Sequence, residues 1–65
     1  MTTDEPLLTP GEVSKMLAVP VNSLAGWRYL GTGPAFVRVG RMIRYQREDV
    51  EAYIARNRVV PPRDR

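Results

Sequence analysis

The 65-residue chain has no cysteine and no histidine. Without cysteine it can form no disulfide, no zinc–thiolate site and no thiol nucleophile. Without histidine it lacks the commonest metal ligand and the commonest general base near neutral pH. Catalysis, a bound cofactor and a bound metal are therefore not expected. Long apolar runs are missing as well, and none approaches the roughly 20 residues that a membrane-crossing helix needs. Met1-Thr2-Thr3-Asp4-Glu5 is acidic and holds no apolar stretch, so no signal peptide is expected. There is no internal repeat. The length allows one small domain that buries only about 60% of its unfolded surface. Hydrophobic residues make up 43% of the chain, and one tryptophan, three tyrosines and one phenylalanine are enough to seed a packed core rather than a disordered coil. A small domain in a reducing, cytoplasmic setting fits these absences.

Charge is distributed unevenly. Residues 13 to 47 carry Lys15, Arg28, Arg38, Arg41, Arg44 and Arg47 and no acid. The acids stand outside that stretch, at Asp4, Glu5 and Glu12 before it and Glu48, Asp49, Glu51 and Asp64 after it. All but one of the ten basic residues are arginine, whose planar fork suits phosphate and guanine better than lysine does. A polyanion-binding surface accounts for this pattern; a solvated basic face is the alternative.

Local signals divide the chain. Residues 1–6 read as a flexible tail. Thr9-Pro10-Gly11-Glu12 is a helix start, with Thr9 as cap, Pro10 at the first helical position and Glu12 where a capping box requires it. Val13, Met16 and Leu17 form an apolar stripe on a helix over about 10–18. Pro20 ends it. A second helix over about 21–30 carries Leu24 and Trp27 on one face and stops at Gly31-Thr32-Gly33-Pro34. Two short helices joined by about three residues form a helix-turn-helix pattern, which an ordinary αα-corner also satisfies. Residues 36–45 read as a β-hairpin. A three-residue loop, 40–42, would set Val39 opposite Ile43 and Val37 opposite Tyr45 on one face, with Arg38 opposite Arg44 on the other. A two-residue loop would place Arg38 opposite Ile43 and mix the faces, so the longer loop is expected. A third helix runs from about Arg47 to Asn57 with Val50, Tyr53 and Ile54 inward. Glu48 and Asp49 at its start and Arg56 and Arg58 at its end complement its dipole rather than form an acidic site. Val59 to Arg65, with Pro61-Pro62, reads as a flexible basic tail. The domain is thus residues 7–58, with an expected core of Val13, Met16, Leu17, Leu24, Trp27, Val37, Val39, Ile43, Tyr45, Val50, Tyr53 and Ile54.

The second helix of a helix-turn-helix enters the DNA major groove. Its outward residues here are expected to be Asn22, Ser23, Gly26, Arg28 and Tyr29. Asparagine reads adenine, arginine reads guanine, and serine bonds base or phosphate. Gly26 costs about 1 kcal/mol in a helix interior relative to alanine; close approach to DNA and close packing inside the protein are both adequate reasons. Spacing from Leu24 favours a core role for Trp27 over base stacking. Arg41 at the hairpin tip meets no structural demand, and a tip reaching the minor groove or backbone would use it; a solvated turn residue is the alternative. Arg38 and Arg44 on the hairpin face, with Lys15 and Arg47, are the remaining candidate DNA contacts.

Leu8-Thr9-Pro10-Gly11-Glu12-Val13, the segment Val19 to Arg28, the hairpin Val37 to Tyr45 and Glu48-Asp49-Val50-Glu51-Ala52-Tyr53-Ile54 together resemble the excisionase-type winged helix-turn-helix, a relative of the DNA-binding domain of MerR regulators. The likeness covers about residues 7–56. It implies a small α+β fold in the order helix-helix-hairpin-helix, with the second helix in the major groove and the hairpin as a wing on the adjacent minor groove or backbone. Short members are often phage excisionases, or recombination directionality factors, and the arginine-rich composition suits an actinobacterial phage. Such proteins bind several adjacent sites cooperatively through neighbouring copies, bend the DNA and direct a tyrosine integrase toward prophage excision. Pro20 and Gly26 depart from the family pattern, which more often has a capping serine or threonine at the first of these positions. A MerR-type effector domain is not seen, so an effector switch is not expected. A small transcription regulator bound at one operator, and an adaptor whose basic face meets an acidic protein, are the alternative functions. No spare apolar helix remains for a dimer, so a monomer is expected off DNA.

Overall fold

The capping box expected at Thr9 forms. Thr9 Oγ1 accepts from the Glu12 N–H at 3.1 Å, and Glu12 Oε1 accepts from the Thr9 N–H at 2.9 Å. This starts helix α1, Pro10–Leu17, in the computed structural model, which describes residues 6–62. Residues 1–5 and 63–65, the outer parts of the two expected tails, lie outside the described residues. After α1 come helix α2 (Val21–Leu30), strands β1 (Val37–Val39) and β2 (Met42–Arg44), and helix α3 (Arg47–Arg56). Residues 57–62 form no further helix or strand, and Val59 and Val60 are exposed.

The turn between α1 and α2 is held by the backbone. Ala18 takes the left-handed conformation, φ 58°, and its N–H donates to Lys15 O, while the Val19 N–H donates to Ser14 O at 3.1 Å. The Ser14 hydroxyl donates to the Val19 carbonyl and closes the turn from the side-chain side. A left-handed residue with a Cβ costs about 1–2 kcal/mol. Ala18→Gly is therefore expected to stabilise the domain by about 0.5–1 kcal/mol, once the extra freedom of glycine in the unfolded chain is subtracted. Urea unfolding reads this directly, and a lowered midpoint would mean that the Ala18 methyl contributes packing that outweighs the strain.

After α2 the chain bends over the indole. The Thr32 N–H donates to Trp27 O at 2.8 Å. Gly33 has φ 86°, and a Cβ there would lie 2.9 Å from Trp27 Cε3 and 3.0 Å from Trp27 Cβ. Backbone conformation and space both require glycine at this position.

The hairpin differs from expectation in register. The pairs are Val37 with Arg44, Arg38 with Ile43 and Val39 with Met42, so the loop is the two residues Gly40-Arg41. Gly40, at φ 62°, supplies the positive angle that a primed two-residue turn needs at its first central position. The face-mixing objection to this register fails because Tyr45 pairs outside the hairpin. Its N–H and carbonyl exchange hydrogen bonds with Leu8, at 2.9 and 2.7 Å, in an isolated antiparallel bridge. Phe36, Ile43 and Tyr45 then share the core side. Residues directly opposite each other project from the same face, so Val37, Val39, Met42 and Arg44 lie on the outer side. Arg38 and Arg44, expected face to face, are on opposite faces.

The core consists of Leu8, Val13, Leu24, Tyr45 and Val50, with Met16, Leu17, Val19, Trp27, Phe36 and Ile43 packed around it. The indole of Trp27 stacks obliquely on Tyr53, with ring centroids 5.7 Å apart, which answers for its core role. Four expected core members are not in it: Val37 and Tyr53 are half-buried outside it, and Val39 is 48% and Ile54 44% exposed. Val39 sits next to the turn, in the last pair of the hairpin. Ile54 lies on the outer flank of α3, where Leu17, Val19, Trp27 and Tyr53 frame an open apolar groove.

Candidate nucleic-acid interface

Helix α2 buries Leu24 completely and half-buries Trp27 and Arg28. That burial fixes which side faces away. Asn22, Ala25, Gly26 and Tyr29 are exposed, at spacings of three and four residues, and so line one face. Two small residues lie between an amide and a phenol, and the phenol of Tyr29 is 90% exposed. A Cβ on Gly26 would meet nothing within 4 Å, so close packing within the protein does not account for this glycine. Ser23 is half-buried rather than fully outward. Ala25 belongs to the exposed strip and escaped the sequence reading, because alanine carries no recognition chemistry of its own.

The N-terminal end of α2 is open in a second sense. Pro20 is its cap residue and offers no side-chain hydrogen bond, and no acid stands in the first turn. The N-terminal end of the dipole therefore keeps its partial positive charge for an outside anion.

Arg28 is placed differently from expectation. It turns toward the protein instead of outward. Its Nη1 donates to the Tyr45 hydroxyl at 2.7 Å, and its guanidinium lies 5.8 Å from the centre of the Phe36 ring. Phe36 in turn packs on Tyr45, with centroids 6.2 Å apart. Arg28 is thus a strut from α2 to the base of the hairpin. The rule that outward helical positions are the polar ones misplaces it, because an arginine stem can lie along apolar surface while its head finds a partner.

The hairpin presents Arg38 and Arg41 exposed, with Arg41 in the turn itself. Arg44 is half-buried on the outer face, where its Nη1 donates to the Ile43 carbonyl at 2.7 Å. Lys15 is exposed in the last turn of α1. Arg47 opens α3, and its Nη1 lies 3.9 Å from Met16 Sδ. Glu48 and Asp49 sit in the first turn of α3, as the dipole requires. Among the described residues no group of three potential metal ligands occurs, and no helix is long and apolar enough to cross a membrane.

The arrangement is two helices and their turn, with an exposed strip of small and polar residues on the second helix and an arginine-bearing hairpin strutted to it. No curated protein and no solved structure gives a significant match. A family model does, over residues 7–58, from the residue before Leu8 to just past α3, and so covers the turn, the strip and the hairpin together. The chain belongs to the helix-turn-helix domain family.

Proposed function

We propose that this protein binds duplex DNA sequence-specifically as an architectural factor of the excisionase type and has no catalysis of its own. Helix α2 enters the major groove, and the hairpin lies on the adjacent backbone or minor groove. Copies on neighbouring sites cooperate, bend the duplex and direct a tyrosine integrase toward excision. The observation that carries the DNA-binding part is the exposed strip Asn22–Ala25–Gly26–Tyr29, held in fixed relation to the cationic hairpin by the Arg28–Tyr45 hydrogen bond. A groove reader needs its two contact elements at a set angle before DNA arrives. Family membership supports DNA binding, and the resemblance to short excisionases supports the architectural role.

The direct test is to capture genomic fragments with the purified protein and sequence them. Several closely spaced sites beside an integrase gene or attachment site are expected. One site at a promoter would replace the excisionase reading with that of a regulator. No enrichment even at low salt would mean that the basic surface serves a protein partner.

Gly26 supplies a finer test. Gly26→Ala should stabilise the free domain by about 1 kcal/mol, since a helix-interior glycine is replaced and the added methyl meets nothing. The same methyl should weaken DNA binding if α2 approaches base edges at this point. Thermal unfolding and a binding titration on one sample read both effects. A variant that gains stability and binds as before would remove close approach as the reason for Gly26.

A further inference from the structure

The hairpin tip carries an apolar pair that the fold does not use. Val39 and Met42 are directly opposite each other, the last pair before the Gly40-Arg41 turn. They are 48% and 53% exposed, and neither belongs to the core or to the residues packed on it. Two guanidinium groups stand beside them. Arg41 is exposed in the turn, whereas Arg38, exposed on the neighbouring position of β1, projects from the opposite face. Arg44 lies along the pair, with its Nη2 4.0 Å from Met42 Sδ. The tip is therefore a narrow apolar edge on a tight turn, flanked by Arg41 and Arg44.

Two side chains are too little surface for a protein partner, since a stable interface buries about 800 Å² on each side. An apolar partner would also have to desolvate the arginines. The minor groove has the opposite character. It is about 6 Å wide and walled by phosphates, so it accepts a thin apolar edge and rewards cations beside it.

Resting on the DNA-binding reading above, we propose that Met42, backed by Val39, is an apolar wedge that enters the minor groove and partly unstacks one base step while Arg41 and Arg44 hold the flanking phosphates. Wedges of this kind kink duplexes by about 20–90°. Methionine suits the role because its unbranched, polarisable chain adapts to the gap it opens. Valine, stiff at χ1, supports it from the neighbouring strand. The step entered is a TA or CA step, which unstacks most easily. Bending then begins within a single bound copy, before any contact between neighbours.

The test uses the full chain and a single binding site selected by it from random-sequence duplexes. The site is placed in a fragment with a fluorophore at each end to report bending. In parallel fragments, 2-aminopurine replaces one base at a time to report unstacking. The surface variant V39T/M42Q is compared with the wild type at saturating protein, with matched thermal midpoints as the check on folding. The wild type should shorten the end-to-end distance and brighten 2-aminopurine at one pyrimidine–purine step. The variant should lose most of both signals and bind several-fold more weakly, with an unchanged salt slope because Arg38, Arg41 and Arg44 all remain. Equal bending and equal 2-aminopurine signal in the variant would overturn the wedge, as would a wild type that binds without brightening any step. Failure to select any duplex would instead overturn the DNA-binding reading on which the wedge rests.

Discussion

Affinity for duplex DNA is expected to fall about 500-fold when salt is raised from 50 to 200 mM, because about five phosphate contacts release about 0.9 counterion each. Lys15, Arg38, Arg41, Arg44 and Arg47 are the cations expected to make those contacts. They belong to a stretch from residue 13 to 47 that itself carries no acid. Arg28 is left out of the set because it turns toward the protein, held by the Tyr45 hydroxyl and set against the Phe36 ring. Arg41, exposed in the turn, is the cleanest single probe. Arg41→Ala should lower the slope by about 0.9, so that the same change in salt costs about 150-fold instead. It should weaken all sequences alike, as loss of a phosphate contact does, and leave the unfolding midpoint in place. Fluorescence anisotropy across a salt series measures both. A wild-type slope near zero would mean that the basic surface does not meet phosphates, and an acidic protein partner would take the place of DNA.

Much of this arrangement can be read from the residues. The capping box at Thr9, the stop at Gly31 and the order of elements are local signals, set by hydrogen bonds and backbone angles within a few residues of each other. What could not be read depends on partners far along the chain. The hairpin register is the clearest case. Judged as an isolated two-stranded unit, the hairpin needs Tyr45 opposite Val37 to keep its apolar face whole. Leu8, 37 residues earlier, takes Tyr45 instead, and the two-residue turn at Gly40 then sets the strands. Arg28 is the other case. Helical periodicity gives its angle around α2 but not the reach of its side chain, and the phenol that holds it lies on a different element. Exposure was legible where a polar residue type announces it, as at Asn22 and Arg41. Residue type was silent at Ala25, where exposure is the only signal, and at Val39, expected in the core, and Met42, expected in the turn, which the register pairs on the outer side.

Replacing Tyr45 by alanine is expected to unfold the domain. The side chain is 1% exposed, its ring packs on Phe36, and its backbone pairs with Leu8. Truncating a buried aromatic costs about 3–5 kcal/mol, and a domain of this size has only about 3–10 kcal/mol in total. Tyr45→Phe isolates the hydroxyl. It keeps the ring and the bridge to Leu8 and removes only the acceptor for Arg28. It should cost about 1 kcal/mol of stability, as for a typical intramolecular hydrogen bond. DNA binding should also weaken, because α2 and the hairpin lose the contact that fixes their angle. Arg28→Ala should do the same, and the two changes together should cost little more than either alone, since both remove one interaction. Additive losses in that double-mutant cycle would show that the two side chains act independently. The binding data separate positioning from readout. An arginine that only positions α2 leaves the preferred DNA sequence unchanged when removed, as Tyr45→Phe must. An arginine that also reads a guanine relaxes the preference at one base pair, by about 1–3 kcal/mol, and Tyr45→Phe does not reproduce that change. With one guanidinium nitrogen already held 2.7 Å from the phenol and the planar group set against Phe36, the bidentate approach to a guanine edge would require the strut to open. Unchanged preference in both variants is the expected result.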